Sequence, residues 1–143
     1  MNYRSEKNRI LVSLEKGDEI MDCIYKIIDN EEIPFGWING IGAIQNIIIG
    51  SYSLSKKDYI KKQFKGEFEL TSLIGNITTK QNKPFVHIHI NIADNNCRTY
   101  GGHLFSAIIT ATCEIIILKT EKKVYRSMND NIGLQLWDLN YEK

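Results

Sequence analysis

Proline is nearly missing, with two in 143 residues, and glycine stops at ten. These counts exclude a collagen-like or low-complexity chain. Cysteine occurs only as Cys23, Cys97 and Cys113, with no C-x-x-C pair. That excludes a zinc ribbon or a thioredoxin-type couple and predicts three reduced thiols. Cys113 lies in an apolar run and is expected to pack as a small hydrophobe, whereas Cys97 falls in a polar turn. An excess of one charge is missing too: 18 Lys and Arg face 17 Asp and Glu, for a net charge of +1. A chain that holds DNA by blanketing its phosphates is far more basic, so charge gives a DNA partner no support. No apolar run approaches the ~20 residues that cross a bilayer, so no membrane partner is expected. Met1 to Arg9 carries charges with no apolar stretch behind them. It does not read as a signal peptide, and the expected location is the cytoplasm. There is no P-loop, nucleophile elbow or H-E-x-x-H. Gly40 and Gly42 have no third glycine to complete a dinucleotide fingerprint and read as turn glycines.

What is present suffices for one core. Hydrophobic residues make up 43% of the chain, so no metal or disulfide is needed merely to hold it together. A single domain over residues 1–143, with its core at about 8–137, is expected. Isoleucine is abundant and alanine scarce, which favours strands. One helix stands out: Ile20, Met21, Ile24, Ile27 and Ile28 form a single apolar stripe, with Asp18 as the expected N-cap and an end near Asn30. The remainder reads as about seven strands, among them Arg9–Glu15, Gly36–Ile41, Ile44–Leu54, Phe68–Ile77, Phe85–Ala93, Thr99–Phe105 and Ala107–Leu118. Leu134–Leu136 is expected to add a short last one. The fold class is α+β with a mostly antiparallel sheet, because the connections are too short for crossover helices.

All three histidines fall within 17 residues, at His87, His89 and His103. In Phe85–Ala93 the residues Val86, Ile88, Ile90 and Ile92 point one way, and Phe85, His87, His89 and Asn91 point the other. The aliphatic set takes the core, so two imidazoles share the opposite face. Asp94-Asn95-Asn96-Cys97 reads as a hairpin turn. With a two-residue loop, His103 falls opposite Ile88 on the wrong face. One further residue, in the loop or in a bulge at Gly101-Gly102, places it opposite His89. The longer register is the expected one. Three converging imidazoles with an open position suit zinc or another divalent transition metal and a small-molecule ligand of unknown identity. Asn91, Asp94 and Thr78 are candidate supports of these rings.

Gly40-Ile41-Gly42-Ala43, Phe68-Glu69-Leu70 leading to Ser72-Leu73-Ile74-Gly75-Asn76-Ile77, Lys83-Pro84-Phe85-Val86-His87-Ile88-His89, Gly101-Gly102-His103-Leu104 and Glu114 follow one another along the chain. This succession, over residues 8 to 137, resembles the PPC domain, the plant and prokaryote conserved domain, in its stand-alone prokaryotic type. The resemblance implies a compact α+β domain assembled as a homotrimer, with metal bound by the H-x-H and G-G-H histidines in some prokaryotic relatives. Plant members add AT-hooks, Arg-Gly-Arg-Pro segments that grip the minor groove, and no such segment occurs here. Glu67, in Gly66-Glu67-Phe68-Glu69, stands where plant members carry an arginine that contacts transcription factors.

Three further features complete the reading. Lys56, Lys57, Lys61, Lys62 and Lys65, with Tyr59 and Phe64 between them, form the basic cluster. They are either a nucleic-acid patch or, more in keeping with the net charge, a solvated edge. Glu114, inside an apolar strand, is either a base near the metal or an acid buried in the trimer. Trp37, Trp137 and the tyrosines are expected in core and interface. Function then divides three ways. The first is a metal-binding module for a small ligand, with hydrolytic or lyase chemistry within reach. The second is a DNA-associated regulator, and the third a structural trimer that presents surfaces to other proteins.

Overall fold

Alternating isoleucines build most of the molecule. The computed structural model describes residues 1–141. Glu142 and Lys143, the end of the expected domain, lie outside the described residues. The elements are β1 (Asn2–Ser5), β2 (Arg9–Glu15), α1 (Ile20–Glu31), β3 (Phe35–Ser53), β4 (Asp58–Lys80), β5 (Lys83–Ala93), β6 (Thr99–Thr120), β7 (Tyr125–Asn129) and β8 (Leu134–Asp138). The class is α+β, one helix against a mostly antiparallel sheet, as the sequence suggests.

The strands form one mixed sheet in the order β1-β2-β6-β3-β4-β7-β8, and β5 pairs with both β4 and β6. All pairings are antiparallel except one bridge between β4 and β7, Thr79 with Tyr125. The pairings β6–β3, β3–β4, β4–β5 and β5–β6 therefore close a circuit. One face of this sheet carries the core. Ile10, Val12 and Leu14 of β2 and Val86, Ile88, Ile90 and Ile92 of β5 are buried there, with Ile20, Ile24, Ile27 and Ile28 of α1. Burying each such side chain contributes roughly 1.5–3 kcal/mol, which is why strict alternation fixes the register.

Several expected elements merge or shift. Gly36–Ile41 and Ile44–Leu54 are one strand, β3, bent by register shifts at Gly40/Gly42 and Gln45/Ile47, where Asn46 has a positive φ of 50°. A bulge keeps the ladder going through what reads locally as a glycine turn. Thr99–Phe105 and Ala107–Leu118 likewise merge into β6. The basic stretch Lys56–Gly66 runs from the turn that holds Lys56 and Lys57 into the start of β4 at Asp58. The N-cap of α1 is Glu19, whose carboxylate accepts from Asp22 N–H at 2.7 Å. Asp18 instead accepts from Glu15 N–H at 2.9 Å and pairs with the terminal amine of Met1 at 3.0 Å. The tryptophans are not core residues: Trp37 and Trp137 are both well exposed, and no tyrosine is fully buried among the described residues. Cys23 and Cys113 are buried and Cys97 is exposed, all three as free thiols. No helix among the described residues is long and apolar enough to cross a membrane.

Ile88 lies in the core directly beneath the histidine face of β5 and is 1% exposed. Ile88→Ala is expected to lower folding stability by about 2–5 kcal/mol through lost burial and a residual cavity, read as a shift in urea midpoint.

Candidate metal centre

The hairpin between β5 and β6 sets the site. Asp94 N–H donates to Arg98 C=O at 3.0 Å, and Cys97 N–H donates to Asp94 C=O at 2.8 Å. Cys97 takes a left-handed φ of 59°. This is a three-residue loop of the kind in which a type I turn ends on a left-handed residue. The extra residue is therefore in the loop, and the ladder from Ala93–Thr99 to His89–His103 runs without a bulge at Gly101-Gly102. Directly opposed positions share a face, so His103 joins His89, with His87 two residues along the same strand. Glycine at 102 permits the closure, because a Cβ there would stand 2.8 Å from the Gly50 carbonyl oxygen of β3.

The three rings meet. Each offers one nitrogen, and these atoms lie within 4.8 Å of one another. His87 Nε2 and His89 Nε2 are 3.2 Å apart. Two nitrogens bound tetrahedrally at 2.0–2.1 Å would stand about 3.3 Å apart, so this pair has the spacing of adjacent ligands. His103 Nδ1 is buried with no hydrogen-bond partner, the sole such side-chain atom among the described residues. A buried polar atom without a partner costs roughly 1–3 kcal/mol, and it marks where a further group belongs.

The site is partly dry and carries positive charge. Burial pushes His87 down to about 4, helped by His89 and by the charge of Arg126. Burial likewise pushes His103 down to about 4, followed by the effects of His87, His89 and Lys61. Both rings are neutral at pH 7, the form that binds metals. Tyr59 stacks on His103 with centroids 4.8 Å apart, and Phe105 lies 5.0 Å from the same ring. Burial raises the Tyr59 phenol above its ordinary value, with Tyr52 adding to the rise and Arg126 opposing it.

The other singled-out residues fall elsewhere. Glu114 is exposed on β6, opposite Ser13 of β2 and Ile41 of β3, and it is not among the groups that converge with the histidines. Asn91 donates to Ser72 Oγ at 3.3 Å, and Asp94 Oδ1 is held by the N–H groups of Asn96 and Arg98. Thr78 donates to the Phe85 carbonyl at 3.2 Å. None of these three bonds a histidine. Lys56, Lys57, Lys61, Lys62 and Lys65 are all exposed on the β3–β4 hairpin. Lys61 Nζ lies over the Phe105 ring at 4.1 Å, beside the site, and Lys62 lies over Phe64 at 5.1 Å. Tyr59 and Arg126 are the neighbours that sequence reasoning did not assign to the site. Tyr59 was legible only as an aromatic among lysines, and Arg126 follows no motif.

A base held below its ordinary value binds fewer protons folded than unfolded. Stability from His87 and His103 is therefore complete above pH 6.5 and declines as pH falls toward about 4. The melting temperature of metal-free protein is expected to drop between pH 7 and about 5, before most carboxylates titrate. A His87→Gln/His103→Gln variant should be flat across that interval. An equal drop in the variant would assign the effect to other groups.

Residues 1–121 match the family described as the plants and prokaryotes conserved (PCC) domain. Among solved structures, a candidate DNA-binding protein from Bacteroides thetaiotaomicron aligns with a TM-score of 0.94 at 28% identity, covering 98% of each chain. A protein from Archaeoglobus fulgidus, described as metal-containing, aligns with a TM-score of 0.85 at 34% identity over 95% of this chain and 96% of its own. A plant- and prokaryote-conserved protein from Pyrococcus horikoshii gives a TM-score of 0.85 at 31% identity, covering 96% of this chain and 94% of its own. No curated protein sequence matches significantly. A family match over most of the chain, together with these whole-length likenesses, establishes that the chain belongs to the plant and prokaryote conserved domain family.

Proposed function

We propose that this chain is a metal-binding module in which His87, His89 and His103 hold one divalent transition metal, with zinc as the reference ion. The observation that carries this reading is the convergence of one nitrogen from each of the three rings within 4.8 Å, beside a buried His103 Nδ1 that has no hydrogen-bond partner. The metal-containing description of the Archaeoglobus fulgidus relative supports it. Three neutral nitrogens leave an open coordination position, as in catalytic-type zinc sites, while imidazole also suits iron, nickel or copper. A metal there would polarise a carbonyl or acidify bound water, the chemistry of hydrolysis or of a lyase. The protein's own part is to keep both partly buried rings unprotonated, to orient them from adjacent strands and to cover His103 with Tyr59 and Phe105.

The same sheet face supports self-association as a homotrimer. Ile41 is 57% exposed, Leu118 47%, Ile74 44% and Trp37 40%, all on the side away from α1. Ile41 and Ile74 line a groove of ≈ 800 Å³ together with Glu114. So much exposed apolar surface on one face marks an interaction surface, and a second copy of this chain is the occupant that the family resemblance names. Glu114 is then an acid buried at the contact between copies. Three reduced thiols suit the cytoplasm. A DNA-associated role draws on the name of one relative and on five exposed lysines. The net charge of +1 counts against it.

Elemental analysis of tag-free, zinc-dialysed protein is expected to find about one metal per chain, and His89→Ala should weaken binding by more than ~100-fold. Content well below one metal per three chains, unrestored by added zinc, overturns the metal reading. Light scattering should give three chain masses for the native protein and one for an Ile41→Asp/Ile74→Asp variant. A monomeric native protein overturns the assembly.

A further inference from the structure

Arg126 is the cation in this fold whose position nothing yet explains. It extends from β7 over the outer face of β4 and β5. Its Nε donates to Thr78 Oγ1 at 2.8 Å, Nη1 to the Gln135 carbonyl at 2.7 Å and Nη2 to Asn76 Oδ1 at 2.9 Å. The Phe85 ring supports it from one side, 4.8 Å from the guanidinium carbon. Three of five N–H groups are used, which leaves one on each Nη. All three partners are neutral. No carboxylate among the described residues lies within ion-pair distance of this partly buried guanidinium. A partly buried cation normally has a hydrogen-bonded anion beside it.

Its place gives the missing anion a role. Asn76, which holds Nη2, is the cross-strand partner of His87. Arg126 therefore stands next to the histidine cluster on the same face, near enough for its charge to act on both the His87 ring and the Tyr59 phenol. Lys61 sits on the other flank, over Phe105, with its charge acting on His103. Among the described residues, no acidic side chain joins the three histidines as a ligand. A divalent metal on three neutral nitrogens would keep its full charge, with two further cations beside it.

We infer that the site takes a small molecule through an oxyanion group, one oxygen at the open metal position and another on the free N–H groups of Arg126. A carboxylate or a phosphate has the charge and the paired oxygens that match a guanidinium fork. Arg126 is thus a binding residue, fixed beforehand by Thr78, Asn76 and Gln135, so little ordering is left for the ligand to impose. The inference rests on the metal reading proposed above.

Cobalt-loaded full-length protein separates the two. Cobalt uptake is measured first, by elemental analysis. The visible absorption of the bound cobalt is then followed during titration with acetate, with inorganic phosphate and with uncharged imidazole. The expected result is a spectral change with at least one oxyanion, and whichever of acetate and phosphate binds more tightly identifies the head group. Arg126→Gln should load cobalt fully, bind that oxyanion about ten- to a hundred-fold more weakly and bind imidazole unchanged. Should Arg126→Gln fail to fold or load, Arg126→Lys is read in its place. It keeps the charge without the fork, and a clear loss of oxyanion affinity is again expected. Failure of the native protein to take cobalt sinks the metal reading. Full loading with no oxyanion response, or with equal oxyanion affinity in the variant, sinks the clamp alone.

Discussion

Antiparallel pairing of β5 with β6 is the constraint from which the site follows. Side chains alternate along both strands, so the length of one loop decides which faces meet. Three residues between Asp94 and Arg98 put His103 opposite His89, and two would have put it opposite Ile88. The same alternation that seats Val86, Ile88, Ile90 and Ile92 in the core presents His87 and His89 on the other side. Core burial thus orients the histidines, since turning them inward would turn four aliphatic side chains out.

Electrostatics narrows what such a cluster can do. A triad with a nearby carboxylate would carry its own neutralising charge and its own base. This one is flanked by Arg126 and Lys61, and Glu114 stays apart on β6. Among the described residues, no carboxylate joins the three rings. The Tyr59 ring stacks on His103, and burial raises its phenol.

Local pattern made some parts of the fold legible and not others. The α1 stripe, the β2 and β5 alternation and the histidine face were readable because each depends on a few consecutive residues. The long strands were not, because β3 passes through Gly40, Gly42 and Asn46 by bulges that look like chain reversals in sequence. Glu19 took the cap from Asp18 because Asp18 is held by Glu15 and the terminal amine, a contact that requires the chain start to fold back. Arg126 and Tyr59 reach the site from 23 residues after His103 and 28 before His87; Tyr59 comes in through the closed circuit of strands, and Arg126 through the bridge between β4 and β7. The tryptophans, expected in core and interface, stand exposed in the single chain, one of them on the apolar outer face.

The outer face carries one more implication. Ile74 is the cross-strand neighbour of His89, and Trp37 reaches the His87 row through Asn76. The oily surface and the imidazole cluster are adjoining patches of one pleated plane. Whatever settles on Ile74 strips water from His89 as well, so docking at the greasy patch and ligand chemistry at the rings are bound together through shared hydration.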